Sequence, residues 1–228
     1  MKPWKSQCWI IPPHQSSGFV AAMERVLDVY KRPYDPLYPM VCMDESPRQL
    51  ISESRTPVPG KPGRQKRYDY EYIRKGVYNV FLACEALQGK RFITITERKT
   101  KQDWARFVRW LSETHYPNAK RITLVMDNLN SHTPAALYET FDPEYAKAIW
   151  DRFEFVYTPK HGSWLNIAEI ELNVLSRQCL NRRMDDVNVV KSEVGAWEQY
   201  RNSRESKVDW RFTTGDARIK LKKLYPNV

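Results

Sequence analysis

The sequence predicts an α/β fold: one mixed sheet of five strands with helices on its faces. Three observations predict it. Short apolar runs rich in β-branched and aromatic residues recur along the chain. Two of them adjoin as a hairpin, and the later ones alternate with segments of helical period. The 228 residues are 42% hydrophobic, enough for one sizeable core with an appendage.

Residues 1–15 carry Pro and Trp and read as an irregular lead-in. "SSGFVAAMERVLDVYKR" predicts a helix with a Ser cap and with Phe19, Met23, Val26 and Tyr30 on one face. The proline-punctuated "RPYDPLYP" connects it to "MVCMDES" (40–46), a short buried strand ending on Asp44 and Glu45. "SESRTPVPGKPGRQKRYDYEY" follows as a basic loop, broken by Pro and Gly and carrying Arg55, Lys61, Arg64, Lys66 and Arg67. "GVYNVFLACEAL" (76–87) and "RFITITE" (91–97) make a hairpin with Gly89 in its turn.

"KQDWARFVRWLSETHY" is amphipathic through Trp104, Phe107, Val108 and Leu111, hence a helix. "RITLVMD" (121–127) is an apolar strand ending on Asp127, and "PAALYETFDPEYAKAIWDR" supplies one or two helices. "FEFVYTP" (153–159) is the last strand. A strong helix covers 163–182, capped by Ser163, with Leu165, Ala168, Leu172, Leu175 and Cys179 as its core stripe. Another helix covers about 187–202, and the basic "WRFTTGDARIKLKKLYP" closes the chain. This element order, strand, hairpin, helix, strand, helix, strand, helix, is the one found in ribonuclease-H-like domains.

Thirty-seven Lys and Arg against 27 Asp and Glu give a formal charge of +10, which favours a polyanionic partner, nucleic acid before an anionic membrane. No apolar run approaches the roughly 18 residues that span a bilayer, and the first residues lack a signal-peptide pattern. The expected compartment is the cytoplasm. Cys8, Cys42, Cys84 and Cys179 are widely spaced without a Cys-x-x-Cys pair, which argues against a zinc site or disulfide framework. Cys42 and Cys84 lie in apolar runs as small core residues.

Asp44 and Asp127 each end a predicted strand, and Glu169 lies early on the helix after the last strand. Three carboxylates from three distant segments suit Mg²⁺, a hard cation that prefers oxygen ligands. On a helical wheel Glu169 and Glu171 flank the apolar stripe on opposite sides, so periodicity does not choose between them. Glu45 points to the other side of its strand from Asp44, as a supporting or surface residue.

"VCMDES", "VMDNLNSH" and "YTPKHGSWLNIAEIELNVLSRQ" resemble the DDE transposases of bacterial insertion sequences, in the branch related to mariner. The likeness runs from about residue 38 to 182, and the closing basic segment looks like the end of those proteins too. It implies a catalytic and metal-binding triad of Asp44, Asp127 and Glu169, leaving Glu171 as a solvated helix acid. It adds Glu45, Asn128, His132, His161, Trp164 and Asn166 as active-site neighbours, with Trp164 and Asn166 supporting the Glu169 helix.

The implied organisation is a lead-in and helix over 1–38, a ribonuclease-H-like catalytic domain over 39–182, and a C-terminal helix and tail over 183–228. The implied activity is DNA strand cleavage and transfer at transposon ends, with two Mg²⁺ ions for which Mn²⁺ can substitute. The implied partners are double-stranded terminal inverted repeats, a TA target and a second copy of the chain, in the prokaryotic nucleoid. The basic loop 55–67 is expected to contact DNA phosphate.

Two departures from the family pattern stand out. Many full-length relatives carry helix-turn-helix segments ahead of the catalytic domain, and this chain starts too late to contain them. A catalytic domain, one product of a split reading frame and a remnant are the three expectations. The interval from Asp127 to Glu169 is long for the mariner superfamily and implies a helical insert at 134–152. A nuclease that only hydrolyses and a non-catalytic DNA-binding remnant are the rival functions.

Overall fold

The structure, a computed structural model, describes residues 14–130 and 132–226. Five strands, β1 Met40–Glu53, β2 Tyr72–Glu85, β3 Lys90–Thr96, β4 Ile122–Met126 and β5 Phe153–Tyr157, form one sheet in the order β3-β2-β1-β4-β5. β1, β2 and β3 are antiparallel neighbours, whereas β4 and β5 run parallel to β1. This is the mixed five-stranded sheet that the element order predicts.

The helices are α1 Ser17–Tyr30, α2 Lys101–Trp110, α3 Pro134–Tyr138, α4 Pro143–Asp151, α5 Ile167–Leu175, α6 Val187–Ser203 and α7 Thr214–Lys220. Strand alternation sorts the buried side chains into two cores. Met40, Cys42, Val80, Leu82, Cys84 and Val125 face α1, α5 and α6. Val41, Met43, Phe81, Ala83, Leu124 and Met126 face α2, α3 and α4. The segment 134–152, expected to be helical, forms α3 and α4, whose Leu137 and Ile149 close the second core.

Local capping follows the sequence at α1, where Ser16 accepts from the Phe19 N–H at 3.2 Å and Phe19, Met23, Val26 and Tyr30 are buried. At α5 it differs: Ser163–Leu165 form a single 3₁₀ turn, and Asn166, not Ser163, is the cap. The stripe of Leu165, Ala168, Leu172, Leu175 and Cys179 is buried as predicted. The basic C-terminal segment is docked, with α7 against α1 and both Arg218 and Tyr225 bonded to Glu24. Cys42, Cys84 and Cys179 are buried free thiols, and Cys8 lies outside the described residues.

The largest correction concerns β1. It does not end on Asp44 but runs on to Glu53, paired with β2 from Cys42↔Cys84 to Glu53↔Tyr72 across a bulge at Leu50/Ile51. Pro47 does not stop it, because the pairing with β4 covers only Met40 to Cys42 and beyond that β1 has a single neighbour, the setting in which a strand tolerates Pro. Residues 55–67 therefore form the tip of a long hairpin arm, closed by bridges Val58↔Arg67 and Lys61↔Arg64 with Gly63 at φ 75° in the turn. At about 3.3 Å per residue the arm carries these cations roughly 30 Å along the strand from Asp44. They do not stand beside it.

Candidate active site

The pleat decides where the acids go. Met40 and Cys42 face α5, so Asp44, next in the alternation, faces it too, while Glu45 points to the α2 side. Asp127 is the first residue past β4, the parallel neighbour of β1. Glu169 sits in the first turn of α5. Asn166 ties two of these segments together: its Nδ2 donates to the Met43 carbonyl at 2.9 Å and its Oδ1 accepts from the Ala168 N–H at 3.1 Å. One amide thus joins the backbone beside Asp44 to the turn that bears Glu169.

Burial pushes the Asp44 carboxyl up to about 7; the Glu45 N–H, 2.8 Å from its Oδ1, opposes the rise, and the charges of Asp127, Glu45 and Glu169 add to it. No Lys or Arg lies within ion-pair distance of Asp44, Asp127 or Glu169 among the described residues. Among the described residues, the cationic side chain in contact with Asp127 is His132. Its Nδ1 is 2.8 Å from Asp127 Oδ1 and its Nε2 is 3.1 Å from Glu45 Oε2. Burial alone would lower its pKa, but the two carboxylates outweigh burial and carry it up to about 9, so the ring is charged at neutral pH. The ring stacks on buried Trp104, with centroids 5.6 Å apart. Its backbone carbonyl accepts from the Tyr157 hydroxyl at 2.9 Å.

Residues 39–191 match the family model of the DDE superfamily endonucleases. The chain belongs to this family. Among solved structures it is similar to the Mos1 mariner paired-end complex with Mn, at 16% identity and a TM-score of 0.57, over 88% of this chain and 62% of that one. The Mos1 strand transfer complex gives 16% and 0.57, over 88% and 61%. The paired-end complex with Mg gives 14% and 0.56, over 97% and 67%. At these identities the likeness establishes the ribonuclease-H-like fold, and the chain spans about three-fifths of the length of the first two. No curated protein matches the sequence.

On this DDE-family scaffold the predicted site residues divide. The charges of Asp127 and Glu169 both reach Asp44, but among the described residues the acids whose donor atoms draw within 4.8 Å of one another are Glu45 and Asp127, together with His132. Glu45 is not a surface residue: its side chain is 3% exposed, pairs with His132 and lies 4.0 Å from Lys99. Asn128 and His161 are exposed and make no side-chain hydrogen bond among the described residues; His161 has φ 64° in the turn before Gly162, which packs on Pro159. Trp164 is half-buried against Phe212, at 6.1 Å. Glu171 is not a solvated acid. It is 1% exposed and ion-paired to Arg91 and Arg201. The role of Trp104 is not legible in the sequence, because a Trp on an amphipathic helix reads as core until His132 is seen against it.

The cluster fits a hard divalent cation. It offers carboxylate oxygens from three elements, and Asp127 Oδ1 is buried without a well-aligned hydrogen bond. Donor atoms of Glu45, Asp127 and His132 also lie within 4.8 Å of one another. Glu45 Oε2 and His132 Nε2, like Asp127 Oδ1, are buried without a well-aligned hydrogen bond, and the His132 ring lies between the two carboxylates as a clip on Asp127.

Proposed function

We propose that the chain is the catalytic domain of a DDE transposase, which cuts DNA strands at transposon ends and joins them to a target by metal-dependent phosphoryl transfer. The observation that carries this reading is that Asp44 feels the charges of both Asp127 and Glu169 while none of the three has a Lys or Arg partner among the described residues. Family membership and the likeness to Mos1 complexes bearing transposon-end names support it. Residues 39–182 form the catalytic unit in this reading, with 1–38 and 183–228 as appended segments. No helix among the described residues is long and apolar enough to cross a membrane.

Mg²⁺ or Mn²⁺, held as two ions by the three carboxylates, would lower the pKa of an attacking water or DNA 3′-hydroxyl and neutralise the leaving oxygen. The chain's own residues do the rest. Asp44 becomes a full ligand charge on losing its proton, His132 holds Asp127 in place, and Asn166 keeps the Glu169 turn against β1. No side chain needs to bond to DNA, so no Ser or Tyr nucleophile is called for. The arm cations Arg55, Lys61, Arg64, Lys66 and Arg67 contact phosphate, and two copies of the chain act on paired ends at a TA target in the nucleoid.

The test is incubation of the protein with a duplex terminal inverted repeat and Mg²⁺ or Mn²⁺. Nicking at the repeat boundary followed by joining to a second duplex is expected. Cleavage without joining would favour a hydrolytic nuclease of the same fold. Binding without cleavage would favour a DNA-binding remnant.

A further inference from the structure

The two acids that periodicity leaves equivalent are opposites in the structure. Glu169 is half-exposed with no ion-pair partner among the described residues. Glu171, about 200° further round α5, is held by two arginines. Arg91 of β3 donates from Nε to Oε2 at 2.9 Å and from Nη2 to Oε1 at 2.7 Å, with both side chains at most 2% exposed. Arg201 of α6 donates from Nη2 to Oε1 at 3.1 Å.

Arg91 is itself held from every side. Its guanidinium donates to the carbonyls of Gly89 at 2.6 Å and Ser206 at 2.7 Å. Its backbone exchanges two hydrogen bonds with the Asn202 amide. Gly89, at φ 65°, lets the β2–β3 turn approach Glu205 so closely that a Cβ would lie 2.5 Å from that backbone. A guanidinium fixed to two carbonyls outside α5, on a backbone itself tied to α6, does not drift with a moving helix.

We infer that Glu171 is a positioning residue: through Arg91 and Arg201 it fixes the rotation of α5 and hence the direction of Glu169. This rests on the reading of Glu169 as a catalytic acid. α5 is a short helix fastened by Asn166 to the Met43 carbonyl at its start, by Glu171 to Arg91 in its middle and, just past its end, by Ser176 to Arg48 and Gln178 to Trp197. The Asn166 and Ser176 bonds join this helix to β1. Among the described residues, Glu171 is the one side chain within α5 itself that is hydrogen-bonded on the opposite flank, where it resists turning about the axis. A buried ion pair is weak evidence for stability, since apolar residues of similar volume often do as well. What a bidentate carboxylate–guanidinium pair adds is direction.

The test measures Mn²⁺ affinity by calorimetry on the full chain, alongside single-turnover cleavage. Outer groups that orient metal ligands typically cost 10–100-fold in affinity or activity when removed. Glu171→Gln is therefore expected to stay folded, to weaken Mn²⁺ binding about tenfold, and to lower kcat with the KM for DNA unchanged. Arg201→Gln removes the more exposed half of the clamp and covers the case in which Glu171→Gln does not fold; its expected effect is severalfold, in the same direction. Folded variants with wild-type Mn²⁺ affinity and kcat, beside a Glu169→Gln control that has lost both, would overturn the inference and leave Glu171 a core ion pair. If Glu169→Gln itself binds Mn²⁺ and cleaves normally, the catalytic reading falls first and this inference with it.

Discussion

The carboxyl edge of the sheet and the tip of the β1–β2 arm are mirror images in charge. At the edge, Asp44, Asp127 and Glu169 have no Lys or Arg partner; at the tip, Lys61, Arg64, Lys66 and Arg67 make no ion pair among the described residues. Arg55 alone is matched there, by Asp69. Elsewhere acids and cations are neutralised locally, as in Glu154 with Arg32 and Glu171 with Arg91. Fields left unmatched by Lys or Arg at two separate places, with His132 the partial counter-charge at the acidic one, in a chain of net charge +10, are what a protein needs to hold a small dense cation at one and a long polyanion at the other.

The largest difference is expected between removing an acid without a Lys or Arg partner and removing a paired one. Asp44→Asn, Asp127→Asn and Glu169→Gln should each lower cleavage by about a thousandfold or more, since charge stabilisation by a bound metal contributes several kcal/mol and each 1.4 kcal/mol is a factor of ten. Glu154→Gln should leave the cleavage rate within a small factor. Equal losses in both kinds of variant, with the fold intact, would mean that unpaired acids at the edge have no special role.

Asn166→Ala sharpens the boundary between support and chemistry. The variant loses an N-cap and a buried hydrogen bond to Met43, which together are expected to cost about 1–3 kcal/mol in a urea titration. Cleavage should fall as well, because the Glu169 turn loses its link to β1. A stability loss with no change in cleavage would show that the link to β1 is dispensable for Glu169.

Periodicity makes most of the frame legible: the α1 face, the α5 stripe and the five strands follow from spacing alone. β1 reads too short because Pro47 and the polar residues after it look like a break, and only the absence of a second neighbour strand explains their tolerance. Asp44, Asp127 and Glu169 stand out through their positions on the elements. Glu171 and Glu45 do not, because their partners Arg91, Arg201 and His132 come from remote segments that carry no local mark of pairing. A helical wheel reports a flank, not what is packed against it.

Titration separates a paired acid from the edge. Arg32 holds the Glu154 carboxyl down at about 2, against the cost of burial and with help from Thr123. Because the folded pKa lies below the ordinary value, the unfolded chain binds more protons in the interval between them. Stability from this group is therefore complete above about 4.5 and is lost as pH falls toward about 2. Glu154→Gln should flatten the wild-type rise in thermal stability across that window and change little near pH 7 in its slope. An unchanged acid limb in the variant would show that this pair does not anchor α1 to the sheet.

The smallest effect on the fold, and a selective one on binding, is expected at the arm. Its root is fastened: Arg183 donates to the carbonyls of Asp69 at 2.7 Å and Glu71 at 3.0 Å and lies over the Tyr68 ring at 5.1 Å. Its tip has only two isolated bridges and exposed side chains. Arg64→Ala, Lys66→Ala and Arg67→Ala together should therefore change stability by no more than about 0.5 kcal/mol per site. Each phosphate left without its cation takes about 0.9 from the slope of log K against log salt, so the triple variant should bind any duplex more weakly and with a slope flatter by up to about three. Metal affinity at the edge should not change, because the tip stands some 30 Å along the strand from Asp44, beyond the roughly 8 Å screening length at physiological salt. Unchanged affinity and slope would make the tip a solvated turn, and the DNA path would then have to follow other cations nearer the edge, beginning with Lys99 beside Glu45.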